Sequence, residues 1–459
     1  MIRRALSGAG NRAFSRLEDS MEKTNSPAKE RLVTLFDAGT FVEFGAYLRR
    51  PGHPEAESGV VCGYGAVEGR LIFAFAEDAA AMKGAVDASH AAKIADLYEK
   101  ALRAGAPVIG MFDSAGAVVF DGAAALGGYA TLLSAAANAK GKIPQIAVIC
   151  GACVGTMAAV AGLFDFTVAV KNESRMYLPT AHPQKDRTGC AEELFANGAA
   201  AILAADEAEA FAGVRTLLSF LPDNANSGTP ADISTDDINR ALPEAESLGA
   251  VEALNAVADA GHLLTLSDGA GEETKVGFAL LGGCSAAVIA IDGELTLAGV
   301  RKMTAILNFA GAFSLPVVSF VNCGGFAAGE ENAELLRALP ALTLAWNQTE
   351  NAKIVALTGK AIGAGFLFGG ARRLGADMVL ALPGAEIAAL RAETGVAFLW
   401  NDRISGTVSR EALETEWKET VATAENAAAT GEVDDIIPGA ELRARLISAV
   451  YMLADRQAL

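Results

Sequence analysis

Two periodicities alternate along this chain. Apolar runs such as LIFAFA, PVIGMF and IAVICGACV carry no helical spacing and end in aspartate, glycine or other small residues, as buried strands do. Between them, stretches such as AAKIADLYEKALRAG place apolar residues three and four apart and close on glycine, which predicts an amphipathic helix with a glycine cap. Strand and helix in turn predict an α/β fold with glycine-rich turns at the strand ends, where ligands of such sheets usually bind.

The pattern occurs twice. RLIFAFAED, ending at Asp78, is matched by SAAVIAID, ending at Asp292, with Gly69 and Gly283 ahead of them at the same offset of 214. APVIGMFDSAGA matches LPVVSFVNCGGF, so that Pro107 faces Pro316, Asp113 faces Asn322 and Gly116 faces Gly325, an offset of 209. IAVICGACVG matches IVALTGKAIG at an offset of 208, aligning Gly151 with Gly359 and Gly155 with Gly363, and LFDFTVAV echoes LGADMVLAL. Offsets this constant imply duplication. Each half reads as a hairpin, a helix, a buried strand, a glycine-rich turn and helix, then a second strand, turn and helix. LPDNANSGTPADISTDD, residues 221–237, is the polar stretch between them, so the halves are drawn as 1–228 and 229–459.

Composition narrows the chemistry. The 459 residues are 52% hydrophobic, with 48 glycines and only 7% aromatics, so the interior is built from small aliphatic residues and close backbone contacts. A net charge of −18 without any Lys/Arg block argues against a nucleic-acid or anionic-membrane surface. Six scattered cysteines read as reduced thiols of a cytoplasmic protein, and Cys150 and Cys153, a lone C-x-x-C, lack the second pair that zinc requires. The Arg- and Ser-rich opening MIRRALSGAGNRAFSRLEDS is similar to a transit peptide but reads better as a solvated helix. The uncharged stretch from Ala147 to Phe164, punctuated by Gly151 and Gly155, reads as buried strand, turn and helix rather than a membrane span.

What the glycine turns do has three readings. Ser114 as a nucleophile with His90 as base lacks the G-x-S-x-G elbow, and its repeat partner is Cys323. A phosphate cradle is matched only by fragments such as AGAGNR and IGAGFLFGG. The third is that bare peptide N–H groups are aimed at a developing oxyanion, with small residues admitting the ligand: Gly155 and Thr156 in the first half, Ala364 and Gly365 in the second. Tight helix packing accounts for the same residues equally well. Only four histidines, at 53, 90, 182 and 262, are available as imidazole bases, which favours a reaction whose base comes from a cofactor. AAAMKGAV carries Ala-Met-Lys, similar to a biotinylation site, but Gly84 replaces the second methionine, so Lys83 reads as a loop lysine.

AKERLVTLFDAGTFVEF, ASHAAKI, GAPVIGMFDSAGA, IPQIAVICGACVG, CAEELFANGAA, LLSFLPDN, LPVVSFVNCGGF, KIVALTGKAIGAG, LGADMVLALPGAEIA and VDDIIPGAELRARLI follow one another over roughly residues 28–449. In that order they resemble the carboxyltransferase subunits of biotin-dependent acyl-CoA carboxylases and decarboxylases, of the propionyl-CoA carboxylase beta and methylmalonyl-CoA decarboxylase alpha type. The resemblance implies two tandem crotonase-like domains and carboxyl transfer between biotin, borne on a separate biotin carboxyl carrier protein, and the α-carbon of a short acyl-CoA. It implies a site split between subunits of a homo-oligomer, typically a hexamer, and a biotin carboxylase or membrane decarboxylase subunit as further partners. The proton is taken by the biotin ring, which agrees with the shortage of histidines.

By the same resemblance Gly155 and Thr156 form the hole for the thioester enolate and Ala364 and Gly365 the hole for the biotin carbonyl, the exchanged assignment being equally consistent. Lys83 is expected to meet CoA phosphate. Ser114, Ala115, Gly116, Gly325 and Leu367 are expected to line the substrate sites, with Leu367 at the acyl α-carbon. The chain departs from the family's D-S-G-G-A-R at Asp113–Val118, from G-G at Gly155–Thr156, and from G-F-L-P-G with its basic I-R-H-G-A in GGFAAGEENAELLRAL. A catalytically silent subunit and a biotin-independent crotonase-type enzyme are the competing readings.

Overall fold

The computed structural model describes residues 26–50, 53–178, 188–232, 234, 236–329 and 332–454. The expected N-terminal helix of residues 1–20 and His182 lie outside the described residues. Two compact units are present. The first takes the described residues through Lys140 with Gln145–Phe164 and Asn172–Cys190, and the second takes Gly141–Pro144, Asp165–Lys171 and the chain from Ala191.

In the first unit Val60–Val67 and Arg70–Glu77 form an antiparallel hairpin, with Val42–Phe44 on its outer edge. Arg70–Glu77 runs parallel to Val108–Ser114, which runs parallel to Gln145–Val154, and Arg175–Tyr177 pairs with the far end of that last strand. Ala88–Ala104 connects hairpin to inner strand. Asp87 caps it by accepting from His90 N–H, Gly105 ends it in the left-handed region, and Ala91, Ile94, Tyr98 and Ala101 form its buried stripe. The inner strands are apolar on both faces, and Phe75, Phe112 and Phe164 stack edge-to-face beside them.

The second unit repeats the plan. Thr274–Leu281 and Cys284–Asp292 form the hairpin, followed in parallel by Val317–Cys323, Lys353–Ile362 and Met378–Ala381, with Glu386–Ala388 on the far end of Lys353–Ile362. Leu297–Ala312 is the equivalent connecting helix, capped by Thr296. Phe166, Phe220, Phe278, Phe309 and Phe313 concentrate the unit's aromatic core. The polar stretch 221–237 is not a free tether. Ala231 bridges Cys284, and Ser285 N–H donates to Pro230 O, because Cys284–Asp292 pairs with Val317–Cys323 only from Ala287 onward and leaves the backbone groups of its first residues to satisfy.

The duplication extends to irregularities. The register slips between Phe112 and Ser114 in one sheet and between Val321 and Cys323 in the other. Beside each slip a polar side chain lies over a glycine of the neighbouring strand. A Cβ on Gly151 would collide with the Asp113 carboxylate, and one on Gly359 with the Asn322 amide. Among the described residues no helix is long and apolar enough to cross a membrane, and Ala147–Phe164 folds as the strand, turn and helix its sequence predicts.

Candidate active site

At the end of Gln145–Val154 the backbone turns at Gly155, with φ 63° and ψ −131°, into the short helix Thr156–Ala161; at the end of Lys353–Ile362 it turns at Gly363, with φ 52° and ψ −113°, into Ala364–Gly370. A side chain is strained at such φ, which fixes glycine at both turns. Gly155 N–H donates to Tyr177 O and Gly363 N–H to Ala388 O, each at 2.9 Å. Gly155 is therefore committed to strand pairing and cannot itself supply the oxyanion donor expected of it. The N–H groups of the next two residues have no acceptor among the described residues: Thr156 and Met157 in one half, Ala364 and Gly365 in the other, related by the offset of 208. Met157 was not singled out from sequence because a bulky residue does not look like a bare backbone, yet applying the same offset to Gly365 would have found it.

Gly365 has a different reason to be small. A Cβ there would collide with Cys323 O, so its helix is packed against the strand end, and the glycine serves that contact rather than ligand approach. Ala364 and the half-exposed Leu367 line an apolar cavity of about 680 Å³ with Phe326, Phe366 and Ile387. A mostly apolar hollow with a few directed polar groups, in the range of about 300–1,000 Å³, is the usual form of a small-ligand site.

Beside the Gly155 turn, at the same end of the first sheet, where Ser114 pairs with Cys153, lies a second group of the expected residues. Ser114 is fully buried: its hydroxyl donates to Gly84 O at 2.6 Å and accepts from Gly116 N–H at 3.2 Å. Both lone-pair and proton are thus engaged in the turn, which removes the nucleophile reading with His90 as its base. Ala115 N–H donates to Lys83 O, and Val86 N–H to Gly116 O, so these residues hold the Met82–Gly84 loop. In the second half Leu295 N–H donates to Gly325 O in the same way, at the same offset of 209. Lys83 is exposed on that loop, and its ammonium has no ion-pair partner among the described residues.

Asp113, which faces Asn322 in the repeat, is an anchor: Arg31 pairs with it at 3.1 Å, as Asn322 donates to Asp292 at 2.8 Å and accepts from Lys360 N–H at 2.8 Å. Glu77 lies beneath, fully buried, and burial raises its carboxyl above the ordinary range. All six cysteines are buried and none is in a disulfide, and burial lifts the Cys62 thiol to about 12 and raises that of Cys153, so neither serves as a thiolate nucleophile at neutral pH. Among the described residues no group of histidine, cysteine and carboxylate side chains could hold a metal.

Residues 20–458 match the family model described as carboxyl transferase domain. The chain is 30% identical to the carboxyltransferase subunit of propionyl-CoA carboxylase from Haloferax mediterranei, covering 99% of this chain and 94% of that one. It is 32% identical to methylmalonyl-CoA decarboxylase subunit alpha from Veillonella parvula, over 96% and 92%. Among solved structures, transcarboxylase 12S, a hexamer described with methylmalonyl-CoA and methylmalonic acid bound, superposes with a TM-score of 0.88 at 28% identity, covering 99% of this chain and 96% of that one.

Proposed function

The chain belongs to the carboxyl transferase domain family, and from that premise we infer that it moves a carboxyl group between biotin on a separate carrier and the α-carbon of a short acyl-CoA. Its fold is two tandem crotonase-like domains, drawn at the duplication boundary as 1–228 and 229–459, a boundary supported by the repeat offsets.

The observation that carries the site reading is the pair of equivalent turns, each leaving at least two consecutive peptide N–H groups without an acceptor among the described residues. Fixed N–H dipoles stabilise an oxyanion because they need not reorient when charge develops. Thr156 and Met157 are assigned to the thioester oxyanion, and Ala364 and Gly365 to the carbonyl of the biotin ring. The apolar cavity beside Ala364 fits a ring with one polar face, since Phe326, Leu367 and Ile387 can cover it while its oxygen lies toward the turn at Ala364. Biotin, when bound, supplies or receives the carboxyl group and takes up the α-proton. The chain's own residues orient the thioester, hold its enolate oxygen and keep water from it. No histidine or cysteine has to act as base.

The Met82–Gly84 loop and the Ser114–Gly116 turn are assigned to CoA, with Lys83 as phosphate partner; Gly325 closes the equivalent turn in the second half. A homo-hexamer is supported by the assembly described for transcarboxylase 12S, and by Phe120 and Val119, which stand almost wholly exposed just beyond the Ser114–Gly116 turn. A biotin carboxyl carrier protein is the required partner, with a biotin carboxylase or a membrane decarboxylase subunit as the wider complex. Six buried cysteines, none of them in a disulfide, support a cytoplasmic setting. The test is exchange of label between methylmalonyl-CoA and biotin by the purified chain. Turnover that needs biotin supports the reading, turnover without biotin identifies a crotonase-type enzyme, and acyl-CoA binding without turnover identifies a silent subunit.

A further inference from the structure

The loop assigned to CoA holds an unusual backbone. Met82, Lys83 and Gly84 all have positive φ, at 54°, 56° and 66°. Left-handed conformations occur singly in most proteins and are disfavoured for side-chain-bearing residues, so three in succession need external restraint. The restraint is traceable. Ser114 Oγ donates to Gly84 O, Ala115 N–H donates to Lys83 O, and Asp113 N–H, one residue back, donates to Glu77 Oε2 at 2.9 Å. Glu77 is itself sealed in: its Oε1 lies 3.6 Å from His90 Nε2, and neither residue reaches solvent. Glu77 Oε1 and His90 Nε2 thus have only that long contact with each other, and His90 Nδ1 and the Tyr129 hydroxyl are buried with no hydrogen-bond partner among the described residues. A buried carboxyl and imidazole with spare hydrogen-bonding capacity are costly to keep in a purely structural core.

We propose that Glu77 and His90 are positioning residues of the thioester site, His90 fixing the Glu77 carboxyl and Glu77 holding, through the Asp113 N–H and the Ser114 hydroxyl, the left-handed Met82–Gly84 loop. The proposal rests on reading that loop as the acyl-CoA site. It concerns one substrate only, because the chain of contacts ends at Lys83 and Gly84 and none of its members lines the cavity beside Ala364.

The experiment measures methylmalonyl-CoA binding by calorimetry, and steady-state biotin-dependent exchange, on the full assembled protein. Glu77→Gln keeps an oxygen for the Asp113 N–H and is expected to bind methylmalonyl-CoA within twofold of wild type. Glu77→Leu removes the acceptor and is expected to raise Kd and the acyl-CoA KM about tenfold, the scale of losing a hydrogen bond to a charged or buried acceptor, with kcat and the biotin KM unchanged. Ser114→Ala, which cuts the chain one link later without touching the buried pair, gives the same split and carries the test if Glu77→Leu does not fold. Equal methylmalonyl-CoA affinity for Ser114→Ala and wild type, or a loss in kcat with KM untouched, overturns the proposal. Wild type that fails to bind methylmalonyl-CoA at all overturns the assignment of the site instead.

Discussion

Replacing Ala364 by proline deletes one peptide N–H and almost nothing else. Ala364 is the first residue of its helix, a position where proline is well tolerated because that N–H has no partner in the helix. The preceding residue is Gly363, at φ 52° and ψ −113°, so proline meets no Cβ before it and the non-helical conformation it requires is already present. No internal hydrogen bond is lost, since the Ala364 N–H has no acceptor among the described residues. The expected stability cost is below about 1 kcal/mol, whereas deleting one oxyanion donor costs roughly 3–4 kcal/mol in the transition state, or about 10²–10³ in kcat. Thermal unfolding and biotin-dependent exchange, measured on the same preparation, separate the two quantities. Ala364→Ser, which keeps the N–H at nearly the same size, should match wild type. A folded Ala364→Pro with kcat within threefold of wild type refutes the assignment of that N–H. Valine at Gly365 cannot make this distinction, because its side chain would collide with Cys323 O whatever the chemistry.

Lys83→Ala should weaken acyl-CoA binding about fivefold at low salt, the scale of one exposed ion pair, and the difference should vanish near 0.5 M salt; equal affinity at low salt removes Lys83 from the site. Burial lowers the Lys302 pKa to about 8, its ammonium donating to Gly271 O and Ser267 O. The charged form is therefore penalised on folding, fully below pH 8 and progressively less up to about 10.5. Relative to Lys302→Met, wild type should gain about 2–3 kcal/mol of stability across that window, and a pH-independent difference in urea unfolding contradicts it. Light scattering at assay concentration should find a hexamer, and fully active monomers would rule out a site shared between subunits.

The strand and helix order was legible because burial on both faces leaves an uninterrupted apolar run and a crossover helix leaves a stripe. The duplication was legible because equivalent turns need equivalent glycines. Other features are invisible to pattern. Gly155 and Gly365 look alike as letters, yet one is glycine for its φ and spends its N–H on Tyr177, and the other is glycine because Cys323 O occupies the space of its Cβ. That Asp113 and Asn322 share an anchoring role could be read from their matched positions; that Arg31, 82 residues earlier in sequence, supplies the countercharge to Asp113 could not. Met157 escaped notice for a similar reason, since donor capacity belongs to the peptide and leaves no trace in the side chain.

Under the proposed assignment, duplication also explains how one turn comes to serve two ligands. Both copies keep the glycine with positive φ, a following pair of N–H groups open among the described residues and the polar side chain seated over a strand glycine, so under the proposed assignment each inherits an oxyanion-binding backbone without any side chain to preserve. What surrounds the turn was then free to diverge. In the first copy the neighbouring turn is bound to a left-handed loop by Ser114, whose hydroxyl reaches Gly84 O; in the second the matching position is Cys323, a poorer donor, whose sulfur meets the Gly325 carbonyl at 3.4 Å and the Leu295 backbone. The first copy thus carries a fixed loop, which the proposal gives to the phosphate-bearing ligand, while the second opens beside Ala364 and Leu367 onto an apolar hollow, which it gives to the compact ring. Two copies allow one oxyanion to be held on each reactant, which is the requirement of passing a carboxyl group between a thioester and a ureido ring.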